Sequence, residues 1–496
     1  MNLHAEPDAA AHPFLSSKLG HAIDGYVVPS ASGKVFETLN PATGQVLAHL
    51  AEGDATDVDK AVRAARAAFE GPWSTWTPYQ RLALLMRVHD LVEARFDEMA
   101  RLETLDVGSP ITRARNLKNF VLQTIAYFAT QTVNVAGETL PNNLPGSVMT
   151  MTVKAPIGVV GGILTWNSPL VGQWHLVGGA LATGCTVVLK PCEYASLSVL
   201  YMANLLLEAG VPDGVVNVVT GYGPVAGAAL AAHPDVDRIM FSGSVGTGRR
   251  IVEASAGKMK AKQVGPGGKS PNIVFADADL DAAVPGAAMA VFNNSGRTCT
   301  AGTRVFVQRS IYHEFVERLT ALSKTVRVGN GLDPDVQMGP VISQQQLDHV
   351  TEYVQSAVLE GATLATGGGR LHGELANGYF VQPTVLSNVT PAMTIARAEI
   401  SGPVIMVLPF DDADDALRMT NAIGCGHGGA VWTRDVTTAM KMAHAIQAGC
   451  MWVNCHGLLD NAVGINGYGA NGGPSHVDAF LHQKSVYINL GGPLPL

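Results

Sequence analysis

Short runs of β-branched residues alternate with helix-like stretches from about residue 155 onward. These runs cover residues 158–164, 186–189, 215–219 and 238–241, and each gap between them is long enough for a crossover helix. A strand, a helix and a return of this length are typical of βαβ units. The pattern therefore predicts a parallel sheet with helices on its faces.

A second series of apolar runs begins at residue 272. It comprises 272–275, 304–307 and 429–432, with helical periodicity over 311–326. The stretch Gly265-Pro-Gly-Gly268 separates the two series and has the composition of a junction. We predict an α/β chain with two parallel-sheet domains joined at this stretch.

Two stretches upstream, 55–71 and 79–105, place apolar residues at helical spacing and predict amphipathic helices beside the first sheet. Segment 155–189 holds no Asp, Glu, Lys or Arg, but Pro156, Pro169 and several glycines interrupt it. This composition favours a buried core over a membrane span.

Composition narrows the classes of function. The 496 residues are 47% apolar, enough for about three domains with large cores. Lys and Arg total 33 against 41 Asp and Glu, for a net charge of −8. This balance gives no broad electrostatic reason to expect nucleic acid or an anionic membrane as a partner. Acidic residues and Pro7 stand where a signal peptide needs a basic start and an apolar run, so export is not predicted.

The cysteines are few and show neither C-x-x-C pairs nor zinc-like spacing with histidines. We therefore predict no disulfide framework, no metal site and a reducing, cytoplasmic setting. The six are Cys185, Cys192, Cys299, Cys425, Cys450 and Cys455. All except Cys299 are interpreted as structural, buried thiols.

Candidate chemistry lies where predicted strands end. Trp166-Asn167-Ser168-Pro169 follows the first run, and Lys190-Pro-Cys-Glu193 follows the second. Ligands bind at such strand ends in open parallel sheets. The small residues of 241–248 lead from a strand into a helix, where a pyrophosphate can approach. Their glycine order is not the dinucleotide fingerprint, so this signal is weak alone.

Cys299 stands in the glycine-flanked turn Gly296-Arg-Thr-Cys299-Thr-Ala-Gly302, just before a predicted strand. A thiol in such a turn can be exposed and reactive, whereas one inside a strand is usually packed away. By itself, a lone cysteine is more often a packing residue than a nucleophile.

Together these blocks, with Glu399-Ile-Ser-Gly402-Pro403 and Trp452-Val-Asn-Cys455, resemble the ordered motifs of the aldehyde dehydrogenase superfamily. The resemblance runs from Ile23-Asp24-Gly25 to Lys484-Ser-Val486. It implies an NAD-binding domain from 1–130 and 150–264, and a catalytic domain over 265–455. It also implies a small β element for oligomerisation, from 131–149 and 482–496, in a homodimer or homotetramer.

The resemblance implies a role for each matching residue. Cys299 corresponds to the nucleophile, and Asn167, with the Cys299 backbone N–H, to the oxyanion donors. The residues implied to bind NAD are Trp166, Lys190, Glu193, Gly223, Ser244 and Glu399. Lys190 and Glu193 would hold the adenosine ribose, Ser244 the pyrophosphate and Glu399 the nicotinamide ribose. The plain alternatives are a helix cap for Asn167, a solvated ion pair for Lys190 and Glu193, and a surface carboxylate for Glu399.

Several positions depart from the family pattern. Gly265 stands where the family has the Glu that activates the hydrolytic water, so that base is missing. A common Lys is replaced by Leu176, an Arg-Glu pair by Ala470-Asn471, and a Phe by Ser401. Three histidines are candidate substitutes for the base: His175, His427 and, first among them, His456, whose stretch borders the aldehyde pocket in the family.

Three functions stay open on this basis. The first is NAD-dependent oxidation of an aldehyde to its acid, and the second is a CoA-acylating dehydrogenase, which needs no water-activating Glu. The third is a silent relative that keeps the fold. Gly172, Trp174, His175 and Leu176 predict a roomy, mostly apolar tunnel for an aromatic or medium-chain aldehyde.

Overall fold

The computed structural model describes residues 12–258, 261–266, 268–422, 426–464 and 473–492. Its strands are β1 (His21–Ile23), β2 (Tyr26–Val28), β3 (Val35–Leu39), β4 (Val46–Ala51), β5 (Thr139–Leu140), β6 (Val148–Pro156), β7 (Val159–Ile163), β8 (Thr186–Lys190), β9 (Val216–Val218), β10 (Arg238–Gly243), β11 (Ala261–Pro266), β12 (Pro271–Val274), β13 (Arg304–Gln308), β14 (Thr363–Thr366), β15 (Thr384–Ser387), β16 (Val404–Phe410), β17 (Gly429–Trp432), β18 (Met451–Val453) and β19 (Leu481–Asn489).

The helices complete the framework. They are α1 (Ala55–Glu70), α2 (Pro78–Ala94), α3 (Phe96–Val107), α4 (Ile111–Asn116), α5 (Lys118–Gln131), α6 (Pro169–Thr183), α7 (Leu197–Glu208), α8 (Ala228–Ala232), α9 (Val245–Ala254), α10 (Leu280–Phe292), α11 (Tyr312–Ser323), α12 (Gln344–Leu359), α13 (Thr394–Arg397), α14 (Ala413–Asn421), α15 (Val436–Ala445) and α16 (Gly473–Asp478). None of the described helices is both long and apolar enough to cross a membrane.

The first large sheet has the order β11-β10-β7-β8-β9-β1-β2, and its strands from β11 to β9 run parallel. Every residue of β7 and β8 is buried, as expected for a parallel sheet covered on both faces. At Gly162 of β7 a Cβ atom would collide with Leu176 of α6, so this glycine lets the helix pack closely. The four sequence-predicted strands are confirmed as β7 to β10.

The second large sheet has the order β14-β15-β16-β13-β12-β17-β18 and is parallel except for β14. Its predicted strands are confirmed as β12, β13 and β17, and the predicted helix 311–326 as α11. The two-sheet α/β class predicted from the sequence is therefore confirmed. Along the chain, β11 ends at Pro266 and β12 begins at Pro271, so the change of sheet falls at the predicted junction.

One predicted helix is wrong in length. The stretch 79–105 forms two helices, α2 and α3, which meet at Arg95 with φ −107° and ψ 12°. Val92, Phe96 and Met99 all enter one core, so the apolar spacing continues across the break. Periodicity alone therefore gave no sign of the change in direction.

A third, three-stranded sheet has the order β19-β6-β5. Strand β6 pairs along its whole length with β19, from Val148 opposite Asn489 to Pro156 opposite Leu481. Large apolar side chains are exposed on this sheet, among them Leu140, Val153 and Tyr487. The domain limits and the oligomerisation role inferred for 131–149 and 482–496 stay predictions.

Candidate active site

The first sheet gathers most of the predicted cofactor residues at one edge. Strands β10, β7, β8 and β9 are neighbours and parallel, so their carboxyl ends lie side by side. Ser244 follows β10, Trp166 and Asn167 follow β7, and Glu193 follows β8. The π-helical turn that begins at Gly223 follows β9. Lys190 is itself the last residue of β8. This edge is where a doubly wound sheet binds its ligand.

The second sheet supplies the other two predicted residues. Cys299 lies in the loop between α10 and β13, and Glu399 lies just before β16. Both line a cavity of about 690 Å³ that also contacts Trp166, Asn167 and Ser244 from the first sheet. The structure therefore brings Cys299, Asn167, Trp166, Ser244 and Glu399 to one site.

A second cavity, of about 410 Å³, also reaches the cysteine. Residues common to both cavities are Thr165, Asn167, Ser242, Thr298 and Cys299. Most other side chains of the second cavity are apolar, including Leu117, Phe120, Ile163, Leu164, Val171, Leu176, Met240, Phe241, Leu458 and Leu459. Cys299 thus lies where a polar cavity and an apolar one meet.

Asn167 is held with its amide nitrogen free. Its Oδ1 accepts a hydrogen bond from Thr165 Oγ1 at 2.5 Å, and its backbone carbonyl accepts one from Asn294 Nδ2 at 2.9 Å. Its Nδ2 donates to no atom in the described part of the chain, so it can donate to an oxyanion. The helix-cap alternative is wrong, because Ser168 is the N-cap of α6 and makes no side-chain cap bond.

A buried arginine braces this arrangement. The Arg297 guanidinium donates to the backbone carbonyl of Val107, to the Asn294 carbonyl at 2.9 Å and to Asn294 Oδ1 at 3.0 Å. Asn294 in turn holds the Asn167 carbonyl. Arg297 therefore fixes the cysteine loop against the oxyanion donor and acts as a positioning residue.

The Cys299 thiol is strongly affected by its surroundings. Burial raises its pKa to about 11, and the negative charge of Glu399 adds to the increase. Burial also raises the pKa of the Glu399 carboxyl, which Lys269 partly offsets. The thiol is therefore protonated at neutral pH in the protein alone, and its reactivity depends on loss of that proton.

Lys190 and Glu193 form an ion pair at 2.9 Å, with the Lys190 side chain 2% exposed. Burial opposes ionisation of Glu193, but the charge of Lys190 and its hydrogen bonds outweigh it and lower the pKa. The alternative of an ordinary solvated pair is therefore wrong. The structure does not bring these two residues or Gly223 into the described lining of either cavity.

The turn before α9 has the backbone that a pyrophosphate needs. Ser244 is the N-cap of this helix, and its Oγ accepts from the Thr247 N–H at 3.3 Å. Gly243 has φ +159°, where a Cβ would collide with Phe241, and no atom lies within 4 Å of a Cβ placed on Gly246. Small residues thus leave the helix N-terminus open to an anion, and the residues present fit a dinucleotide.

The substituted positions do not restore a base. Gly265 lies on β11 opposite Ser242, a residue of both cavities. Leu176 lines the apolar cavity, and Ser401 lines the polar one with φ +49°. Ala470 and Asn471 lie outside the described residues, as does Cys425.

The three candidate histidines are poor bases. His175 lines the apolar cavity, but burial lowers its pKa to about 3. Burial lowers the pKa of His456 to about 4, and this ring packs against Trp452 at a tilt, with ring centroids 4.8 Å apart. The expectation that its stretch borders the cavity holds for Gly457, Leu458 and Leu459, but His456 does not line it. His427 lines neither cavity, and burial lowers its pKa.

Sequence reasoning missed several lining residues and misplaced a few others. The polar cavity also contains Lys269, Arg297, Gln346, His349 and Arg397, and the apolar one contains Arg113 and His476. Gly172, His175 and Leu176 line the apolar cavity as predicted, but Trp174 is packed in the core. Of the cysteines expected to be buried, Cys185 is, whereas Cys192, Cys450 and Cys455 are half-buried.

Comparisons with known proteins agree with this geometry. The model of the "Aldehyde dehydrogenase family" matches residues 27–486. A mitochondrial aldehyde dehydrogenase of Sus scrofa is 43% identical over 469 residues, covering 92% of this chain and 89% of the relative. A mitochondrial benzaldehyde dehydrogenase of Antirrhinum majus is 42% identical over 479 residues, covering 95% of this chain and 89% of the relative. An aldehyde dehydrogenase from Bacillus cereus, solved as its NAD+ complex, superposes with a TM-score of 0.93 at 40% identity, covering 99% of this chain and 100% of that one. The chain belongs to the aldehyde dehydrogenase family.

Proposed function

We propose that this protein oxidises an aromatic or apolar aliphatic aldehyde to the carboxylic acid through a covalent adduct on Cys299. Membership of the family makes it an oxidoreductase that acts on aldehydes, and NAD is its cofactor. The observation that carries the proposal is the position of Cys299, where the polar and apolar cavities meet beside the free amide of Asn167.

In the proposed reaction, the Cys299 thiol first loses its proton to solvent water. The thiolate then attacks the aldehyde carbon, and the carbonyl electron pair moves onto oxygen. The Asn167 amide and the Cys299 backbone N–H stabilise that oxyanion. As the electron pair returns from oxygen, the adduct carbon releases a hydride and a thioester remains on Cys299. Bound NAD would supply the acceptor for that hydride. Trp166, Lys190, Glu193, Gly223, Ser244 and Glu399 are the proposed cofactor residues.

Release of the acyl group is the unusual half of the proposal. Water must attack the thioester, and at Gly265 no carboxylate is available to take its proton. The pKa values of about 3 for His175 and about 4 for His456 leave both with little basicity at neutral pH. We therefore propose that deacylation is slow with water.

The missing base favours one alternative. A CoA thiol could attack the thioester in place of water, and this route needs no water-activating carboxylate. Progress curves with and without CoA separate the two reactions. Accumulation of acyl-CoA together with faster turnover would identify the CoA-acylating enzyme, whereas unchanged turnover favours hydrolysis.

The assembly and compartment are also proposals. The exposed apolar side chains on the β19-β6-β5 sheet support a homodimer or homotetramer formed through it. The free cysteines of the described chain support a reducing compartment such as the cytoplasm.

The direct test is a screen of aldehydes by the absorbance of reduced NAD, with wild type and Cys299→Ala. We expect the substitution to lower turnover by at least about 10³-fold, because it removes the nucleophile. Cys192→Ala is the matched control and should be nearly neutral, since it removes only a weak bond from Sγ to Glu193 at 3.6 Å. NAD reduction by Cys299→Ala at the wild-type rate would contradict the covalent mechanism.

A further inference from the structure

The apolar cavity contains one conspicuous charge. Arg113, on α4, lines this cavity together with Cys299 and Asn167. It is the only Arg, Lys, Asp or Glu among the described residues of that lining. A guanidinium is always charged, so this mostly apolar cavity carries a fixed positive charge.

The donors of Arg113 are largely unused. Nη1 donates to Ser109 Oγ at 3.0 Å, and this is the one hydrogen bond that the side chain makes within the described chain. Nε is buried and has no partner among the described residues. Glu103 is the acid whose charge acts most on Arg113, but Arg113 bonds to Ser109 and Glu103 to the Leu170 N–H, and no ion pair joins the two in the described chain.

A buried, charged donor without a partner is costly, so its retention calls for a ligand. The planar guanidinium matches the two oxygens of a carboxylate. We propose that Arg113 binds an anionic group at the far end of the substrate, so that the preferred substrate is an aldehyde that also carries a carboxylate. This inference rests on the proposed function and specifies its substrate class.

The rest of the cavity is compatible with such a molecule. Ser168 lines it, and its Oγ is buried with no partner in the part of the chain that the structure describes, so it offers a second polar contact. Leu117, Phe120 and Leu176 line the cavity and would cover an apolar spacer. The aldehyde end would lie at Cys299 and Asn167, and the carboxylate at Arg113.

The test compares ω-carboxyl aldehydes of four to eight carbons, and 4-formylbenzoate, with neutral aldehydes of matched length. For wild type we expect at least one acid to exceed its neutral match in kcat/KM by tenfold or more. In Arg113→Leu this acid-to-neutral ratio should fall at least tenfold, and in Arg113→Lys it should be intermediate. Arg115→Leu is the matched control, because Arg115 lies on the same helix but pairs with Asp97 at the surface; its ratio should equal that of wild type.

A second measurement does not depend on the folding of any variant. Simple alkyl carboxylates should inhibit wild-type oxidation of a neutral aldehyde at least tenfold more strongly than alkyl amides of the same length. Preference for neutral aldehydes at every length, equal inhibition by the two series, or an unchanged ratio in folded Arg113→Leu would overturn the inference. In each case activity on neutral aldehydes would leave the proposed function standing, whereas absence of NAD reduction with every aldehyde would refute the function itself.

Discussion

The two cavities that meet at Cys299 each contain an arginine, and the two arginines differ in how they are bound. Arg297, in the polar cavity, donates to three acceptors and is 2% exposed. Arg113, in the apolar cavity, donates to one. Glu103 acts electrostatically on both. Two arginines influenced by the same carboxyl therefore serve different purposes. A guanidinium that donates from all three of its nitrogens fixes the protein, whereas one with unused donors is available to a ligand.

The comparison extends to the reaction. The residues that would stabilise attack on the aldehyde are in place. Asn167 lines both cavities with Cys299, and its Nδ2 donates no hydrogen bond in the described chain. Residues that would activate water for release of the acyl group are not in place, because Gly265 carries no side chain and His175 and His456 are poor bases. The site is thus built for acylation more completely than for deacylation, and the following predictions test that difference.

The largest expected effect is on deacylation. Rapid mixing of wild type with aldehyde and NAD should give a burst of reduced cofactor followed by a slow steady rate, with the acyl group on Cys299 visible by mass spectrometry. Gly265→Glu should raise the steady rate by about 10²-fold or more, because general-base assistance is typically worth about 10² to 10⁴. The burst should change little. A linear progress curve for wild type, without a burst and indifferent to CoA, would contradict slow deacylation.

The second prediction separates the two arginines. Arg297→Met should lower kcat by about 10- to 100-fold. Two acceptor atoms of Asn294 would lose their hydrogen-bond donor, and Asn294 would then hold Asn167 less firmly in position. The ratio of kcat/KM for the acid substrate to kcat/KM for its neutral match should stay at the wild-type value, whereas Arg113→Leu should lower this ratio. Steady-state kinetics on one matched pair of aldehydes measures both quantities. A shifted ratio with unchanged kcat would mean that Arg297, too, binds substrate.

The fold was largely predictable, because strands buried on both faces of a parallel sheet leave continuous apolar runs in the sequence. Short motifs predicted Cys299, Asn167, Lys190 and Glu193 as site residues. The structure places the first two in one cavity and pairs the other two with each other. Arg297 stands two residues before Cys299, yet its role depends on the carbonyl of Val107, far away in the chain. Such contacts leave no local pattern, and the same is true of Arg113, whose importance appears only once α4 and α6 line one cavity.

The third prediction concerns the polar side of the site. The Glu193 carboxylate can accept hydrogen bonds from both ribose hydroxyls and repels a 2′-phosphate. Wild type should therefore bind NAD more tightly than NADP, and Glu193→Gln should narrow that preference by about tenfold, since one charge interaction at an effective dielectric near 20 is worth a few kcal/mol at most. Titration of both cofactors measures the change. Tighter binding of NADP than NAD by wild type would rule out this role for Glu193.

The smallest expected effect is on stability and concerns Glu103, whose pKa is influenced by the charges of both arginines. Its Oε2 accepts from the Leu170 N–H at 3.2 Å, while its buried Oε1 has no partner among the residues described. Burial raises its pKa from 4.5 to about 7, against the charge of Arg113. Between these two values the folded protein binds more protons than the unfolded chain, so this group makes the free energy of unfolding fall as pH rises through that window.

Glu103→Gln cannot ionise and still accepts from Leu170, so it should remove that part of the pH dependence. The melting temperature of Glu103→Gln minus that of wild type should be greater at pH 8 than at pH 5, by an amount on the order of a few degrees. Glu93→Gln, at an exposed pair with Lys118, is the control and should show no such trend. The contrary outcome is that Glu103→Gln loses stability relative to wild type as pH rises. Ionised Glu103 would then stabilise Arg113 and Arg297, and the charge of Arg113 would no longer call for a ligand.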